Sequence, residues 1–145
     1  MKFRNFNNRQ YFIALAVVVL FLALVPPLET MQESIVIGDE RAVVMSGDAK
    51  EHILYGDHSG GGHLYGVGKP CKSEFPKSWD ANKVIGTVTK QAANDNLNWR
   101  QERNGYHVSE KIHEQVKVRV VLDDDKSHII TAYPTNQPRN PCKVK

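Results

Sequence analysis

An unbroken run of 15 apolar residues, Tyr11 to Val25 (YFIALAVVVLFLALV), divides the chain. Lys2, Arg4 and Arg9 precede it without any acid, and Glu29 follows it. A basic flank ahead of a long apolar stretch is the pattern of an export signal or a membrane anchor, with the N-terminus left in the cytoplasm. Such a segment is unavailable to a soluble core, so residues 1–28 are set aside and the globular fold is sought in the remaining 117 of 145 residues. The run lies between a signal-peptide core and a span of about 20 residues, even when Pro26, Pro27 and Leu28 are counted. A cleaved signal requires small residues three and one before the cut. The nearest candidate, Ala23-Leu24-Val25, is followed by proline, which favours an uncleaved anchor over a signal peptide.

Charge follows the same division. The whole chain carries +3 with a sequence pI near 8.9, which on its face suggests a weakly basic nucleic-acid binder. All of that excess sits in Lys2, Arg4 and Arg9; the other 117 residues hold 16 basic and 16 acidic side chains. A global attractive field is excluded, and any grip on a polyanion must come from a local cluster such as Lys69, Lys72 and Lys77. With 41% hydrophobic and 24% charged residues, neither wholesale disorder nor a polytopic membrane protein fits.

Residues 29–46 read as a linker with short strands at IVIG (35–38) and AVVM (42–45), and residues 47–145 as the functional domain. HILYGD (52–57) reads as a strand entering a turn, followed by the glycine-rich SGGGHLYGVG (59–68), whose glycines let the backbone turn tightly around His63. From Ser78 a helix is expected, with Ser78 or Asp80 as N-cap and Val84, Ile85, Val88 and Ala92 on one face. VKVRVVL (116–122) alternates Val116, Val118, Val120 and Leu122 with polar Lys117 and Arg119, the period-2 pattern of a half-buried strand. DDDKS (123–127) is a turn and HIITAYP (128–134) the return strand. The fold class is α+β, a small antiparallel sheet packed against one or two helices.

Cys71 and Cys142 would lie in an oxidising compartment if the domain is exported, and a disulfide between them is expected, with two unpaired loop thiols as the alternative. A zinc site is disfavoured, because CxxC and HxxxH spacings are absent.

Six histidines stand at 52, 58, 63, 107, 113 and 128. Two imidazoles facing one site can serve as base and acid in the same turnover. RNA cleavage by transesterification needs that division: one takes the ribose 2′-hydroxyl proton, the other protonates the departing 5′-oxygen, and a cation stabilises the phosphorane. Neither a phosphate-binding loop, a nucleophile elbow nor a zinc protease motif occurs. His58, His107, His113 and His128 read as surface or turn residues, Lys117 and Arg119 as a solvated strand face with phosphate contact as the rarer alternative, and Trp79 and Trp99 as packing.

HILYGD, GGGHLYG, the Lys72–Pro76 stretch KSEFP before a helix, and a final strand ending in ITAYP together resemble the EndoU endoribonuclease family, over roughly residues 47–142. The likeness is to the bacterial branch often found as toxin domains, and the motif order is that of the coronavirus uridylate-specific endoribonuclease. The resemblance implies His63 as general base, His52 as general acid and Lys72 as the cation, with Lys69 and Lys77 left open for that last role. It implies Thr131 and Tyr133 as residues holding the base and ribose, Tyr133 by stacking, with Ser73 as a further base contact. The expected substrate is single-stranded RNA and the expected product ends are a 2′,3′-cyclic phosphate and a 5′-hydroxyl. The resemblance implies that no cofactor is required, with Mn2+ as a possible addition because some members of the family respond to it. The setting implied is a bacterial inner membrane with the domain on the periplasmic side, or secretion. A toxin acting on other cells and a cognate immunity protein would fit that setting. The alternative is a catalytically silent exported module that binds a partner protein; the intact His52 and His63 argue against it.

Overall fold

The computed structural model describes residues 41–142. The apolar N-terminal segment and the IVIG strand lie outside the described residues. No helix among the described residues is long and apolar enough to cross a membrane.

Two helices and a four-stranded antiparallel sheet make an α+β fold among the described residues. In chain order they are α1 (Gly47–Leu54), α2 (Ala81–Ala92), β1 (Arg100–Gln101), β2 (His107–His113), β3 (Val116–Leu122) and β4 (Ile129–Pro134). The sheet order is β1-β2-β3-β4, with each strand hydrogen-bonded to its sequence neighbour. Pro134 ends the edge strand β4, where a residue without an amide proton costs no ladder bond.

The return hairpin follows the sequence pattern. Val116, Val118, Val120 and Leu122 are buried while Lys117 and Arg119 are half-exposed on the other face. Arg119 pairs with Glu102 and Glu110, and Lys117 with Glu110, so that face is an ion-paired strand surface. Strands β2 and β3 form a second hairpin, closed by Glu114 and Gln115, both at positive φ (47° and 70°). Two left-handed residues in a two-residue loop are the geometry of a type I′ turn.

Helix α2 begins at Asp80, whose carboxylate accepts the Lys83 amide at 2.8 Å, and it buries Val84, Val88 and Ala92 against β3 and β4. Each such fully buried aliphatic side chain contributes about 1.5–3 kcal/mol. Buried Gln91 ties this helix to the sheet: its amide donates to the carbonyls of Ser109 and Val118, and its oxygen accepts from His113 Nε2 at 2.9 Å. Trp79 stacks on Phe75 in the same core, and Trp99 packs against it.

Several expectations are corrected. HILYGD is not a strand: His52, Ile53 and Leu54 are the last turn of α1. Ser46 caps that helix by accepting the Ala49 amide at 3.0 Å, and Asp48 adds a carboxylate to its first turn, which favours helix at this point. AVVM makes one parallel bridge, Val44 with His128, and is not a full strand. Val43 and Met45 nevertheless enter the core, so residues read as linker supply core side chains. His107 and His113 are not turn residues; they are the ends of β2 and half-buried.

Candidate active site

The end of α1 and the glycine-rich loop form one unit. The last helix carbonyls lack intrahelical partners, and here the loop supplies them: Gly62, His63 and Leu64 donate their amides to the carbonyls of His52, Ile53 and Leu54 at 2.9, 2.9 and 3.0 Å. This ladder sets the spacing between the two motif histidines. Gly61 must be glycine for it, since a Cβ there would come 1.9 Å from the His52 carbonyl oxygen at a φ of +71°.

His52 is oriented from behind. Its Nδ1 donates to Asp57 Oδ2 at 3.0 Å, which leaves Nε2 free to carry or release a proton. Asp57 is itself fixed, since its Oδ1 accepts the Ser59 hydroxyl at 2.6 Å and the amides of Ser59 and Gly60 at 2.7 and 3.2 Å. The Ser59 hydroxyl bond, with the His52 bond behind it, holds the Asp57 carboxyl well below the usual carboxylate range.

His63 is held differently. It is 5% exposed, and its Nδ1 donates to the Ser73 carbonyl at 2.7 Å, so the neutral ring presents Nε2 as an acceptor. Its amide is bound by Ile53 and its carbonyl accepts the Phe75 amide at 2.7 Å. Burial pushes its pKa below the ordinary histidine value; Lys72 and His52 act in the same direction, and the Ser73 carbonyl partly opposes them. Tyr133 stacks on the imidazole, with centroids 5.4 Å apart and planes 28° apart.

Lys72 reaches over the Gly60 turn, where a Cβ on that glycine would meet its Nζ at 3.4 Å. The segment 69–74 that carries Lys72 is paired with the C-terminal strap after β4. Cys71 donates its amide to the Asn140 carbonyl, Asn140 donates to that of Lys72, Ser73 bridges Arg139, and Cys71 is disulfide-bonded to Cys142. Glu74 accepts the amides of Gly66 and Gly68 at 2.8 and 2.6 Å and the Asn140 side chain at 3.0 Å. Burial alone would raise the Glu74 pKa, but these donors outweigh it and hold the carboxyl low.

These parts enclose one cleft of about 300 Å3. His52, His63, Lys72, Ser73, Thr131 and Tyr133, all singled out in the sequence, line it. Lys69 and Lys77 do not; the Lys69 stem lies over Gly62, where a Cβ would strike its Cγ at 2.5 Å. Ser73 takes part mainly as a strut, with its hydroxyl donated to the Pro134 carbonyl at 2.6 Å. Asp57, Ser59 and Arg139 went unassigned in the sequence. Asp57 closes the HILYGD motif, and a carboxylate five residues after a candidate histidine was the available signal. Among the described residues, Asp123, Asp125 and His128 converge closely enough to hold a metal ion, but none lines the cleft. The cleft therefore gives no fit for a manganese ion held by gathered carboxylates.

Residues 67–136 match the family model for the bacterial EndoU nuclease. The matched stretch contains Lys72, Ser73, Thr131 and Tyr133, while His52 and His63 precede it and Arg139 follows it. No curated protein and no solved structure matches the chain. Over residues 67–136 the chain is thus similar to the bacterial EndoU nuclease, which supports the family reading of the motifs.

Proposed function

We propose that this chain cleaves single-stranded RNA by transesterification. The observation that carries the reading is the meeting in one cleft of two differently held imidazoles and a lysine, His52, His63 and Lys72. His63, kept neutral by burial and with Nδ1 committed to Ser73, takes the 2′-hydroxyl proton on Nε2. The 2′-oxygen attacks phosphorus, the bond to the 5′-oxygen breaks, and His52, backed by Asp57, delivers a proton from Nε2 to that oxygen. Lys72 stabilises the charge that develops on the phosphorane. The products are a 2′,3′-cyclic phosphate and a 5′-hydroxyl end. Tyr133 and Thr131 hold the nucleoside.

The basic flank and apolar run of the N-terminus support a domain held at a bacterial inner membrane on the periplasmic side, or secreted. RNA is scarce there, so the reading extends to a toxin whose target is another cell and whose producer makes an immunity protein.

A substrate whose leaving group needs no proton separates the two histidine roles. With a nucleoside 3′-(4-nitrophenyl) phosphate, His52→Ala should regain most of the wild-type rate and His63→Ala should not. Rescue of His63→Ala alone would reverse the assignment, and rescue of both would remove it.

A further inference from the structure

Arg139 lies at the rim of the cleft with an exposed side chain, and no hydrogen bond or ion pair engages it among the described residues. Of the other described arginines, Arg41 pairs with Asp95 and Arg100 and Arg119 with Glu102, while Arg103, also without a partner, lies in the β1–β2 loop and does not line the cleft. The acids nearest the cleft are also committed elsewhere, Asp57 to His52 and Ser59, and Glu74 to Gly66, Gly68 and Asn140. An unneutralised guanidinium is therefore presented beside Lys72.

Its backbone is held in place. Residue 139 bridges Ser73, Asn140 bonds both to Lys72 and, through its side chain, to the Lys69 carbonyl at 3.0 Å, and Cys142 is linked to Cys71. The strap thus ties the Arg139 backbone to the same short segment that carries Lys72.

A single scissile phosphodiester brings one negative charge, and Lys72 already serves it. A second cation at the solvent edge of the same cleft matches a second phosphate, on the strand where it leaves the cleft. The planar fork of arginine suits two phosphate oxygens at once. We infer that Arg139 is a subsite residue that binds the phosphate adjacent to the scissile one, so that the cleft prefers an RNA strand over a dinucleotide. This rests on the RNA-cleavage reading above.

The test uses the full chain and two substrates, a dinucleotide with one phosphodiester and a tetranucleotide cleavable only at its central linkage because its other riboses are 2′-deoxy. Arg139→Ala should raise KM for the tetranucleotide about tenfold, the scale of one charge-assisted hydrogen-bond pair. It should leave kcat nearly unchanged and the dinucleotide unaffected, and Arg139→Lys should recover part of the loss. Binding of an uncleavable all-2′-deoxy tetranucleotide should lose about 0.7 from its log–log salt slope. Equal losses on both substrates would assign Arg139 to the scissile phosphate and overturn the inference, as would no loss on either. If the wild-type chain cleaves neither substrate, the cleavage reading fails first, and the binding slope still decides whether Arg139 meets a phosphate. Arg139→Gln serves as a second neutral variant if Arg139→Ala melts below wild type.

Discussion

The Nδ1 atom of His63 donates to the carbonyl oxygen of Ser73 at 2.7 Å, and this one bond decides which nitrogen of a buried imidazole is left for chemistry. The proton sits on Nδ1 in the neutral ring, so Nε2 is the basic atom.

That arrangement fixes a pH dependence. Burial lowers the His63 pKa from 6.5, so the ring stays neutral as pH falls through that value. The acid limb of kcat/KM should therefore lie below 6.5, and a pH–rate profile with its limb at or above that value would contradict the assignment. Stability follows with its own sign. The folded-state pKa is depressed, so the unfolded chain takes up the proton first, and stability is lost as pH falls from 6.5 toward the folded value. His113, lowered chiefly by burial and then by Lys111 and Lys90, acts in the same direction.

Asp57 positions His52 without lining the cleft itself. Asp57→Asn should lower kcat about 10- to 100-fold, the usual scale for an orienting partner, while KM changes little. Steady-state kinetics beside a melting curve would check it. A variant with wild-type kcat would remove Asp57 from the machinery.

The glycines of the loop should differ sharply. Gly61→Ala places a Cβ 1.9 Å from the His52 carbonyl and should disrupt both fold and activity. Gly66→Ala meets nothing within 4 Å, and its only cost is the left-handed φ of +86°, about 1–2 kcal/mol. Thermal melts of the two variants would show whether the difference holds.

The Cys71–Cys142 bond closes a loop of 71 residues. Chain entropy puts its contribution at about 4 kcal/mol. Reduction, or Cys142→Ser, should lower the denaturant midpoint accordingly. Release of the strap should also weaken cleavage, because Asn140 no longer braces the Lys72 segment. Unchanged activity in the reduced, folded protein would show that the strap does not support the site.

The sequence made some parts of this fold plain and hid others for physical reasons. The β3–β4 hairpin was legible because one face is buried and the other ion-paired, which forces the alternation from Val116 to Leu122. Strand β2 was not, since HVSEKIH does not alternate, burying Val108 and Ser109 side by side and exposing Glu110, Lys111 and Ile112 in a row, and its turn is Glu114-Gln115 without the Asn or Gly that usually marks left-handed positions. His52 was found by motif but misplaced on a strand, because HIL is as apolar as a strand and α1 is only 8 residues long. Its Ser46 cap was the available clue. Arg139 carries no local pattern at all. It reaches Lys72 only because the strap folds back along the 69–74 segment.

The most direct test is to incubate the full chain with a 5′-labelled single-stranded RNA beside His63→Ala and to identify the new ends. The account expects 2′,3′-cyclic phosphate and 5′-hydroxyl ends from the wild type, and a rate at least about 100-fold lower from the variant. No cleavage by the folded wild-type protein, or equal cleavage by both, would contradict it.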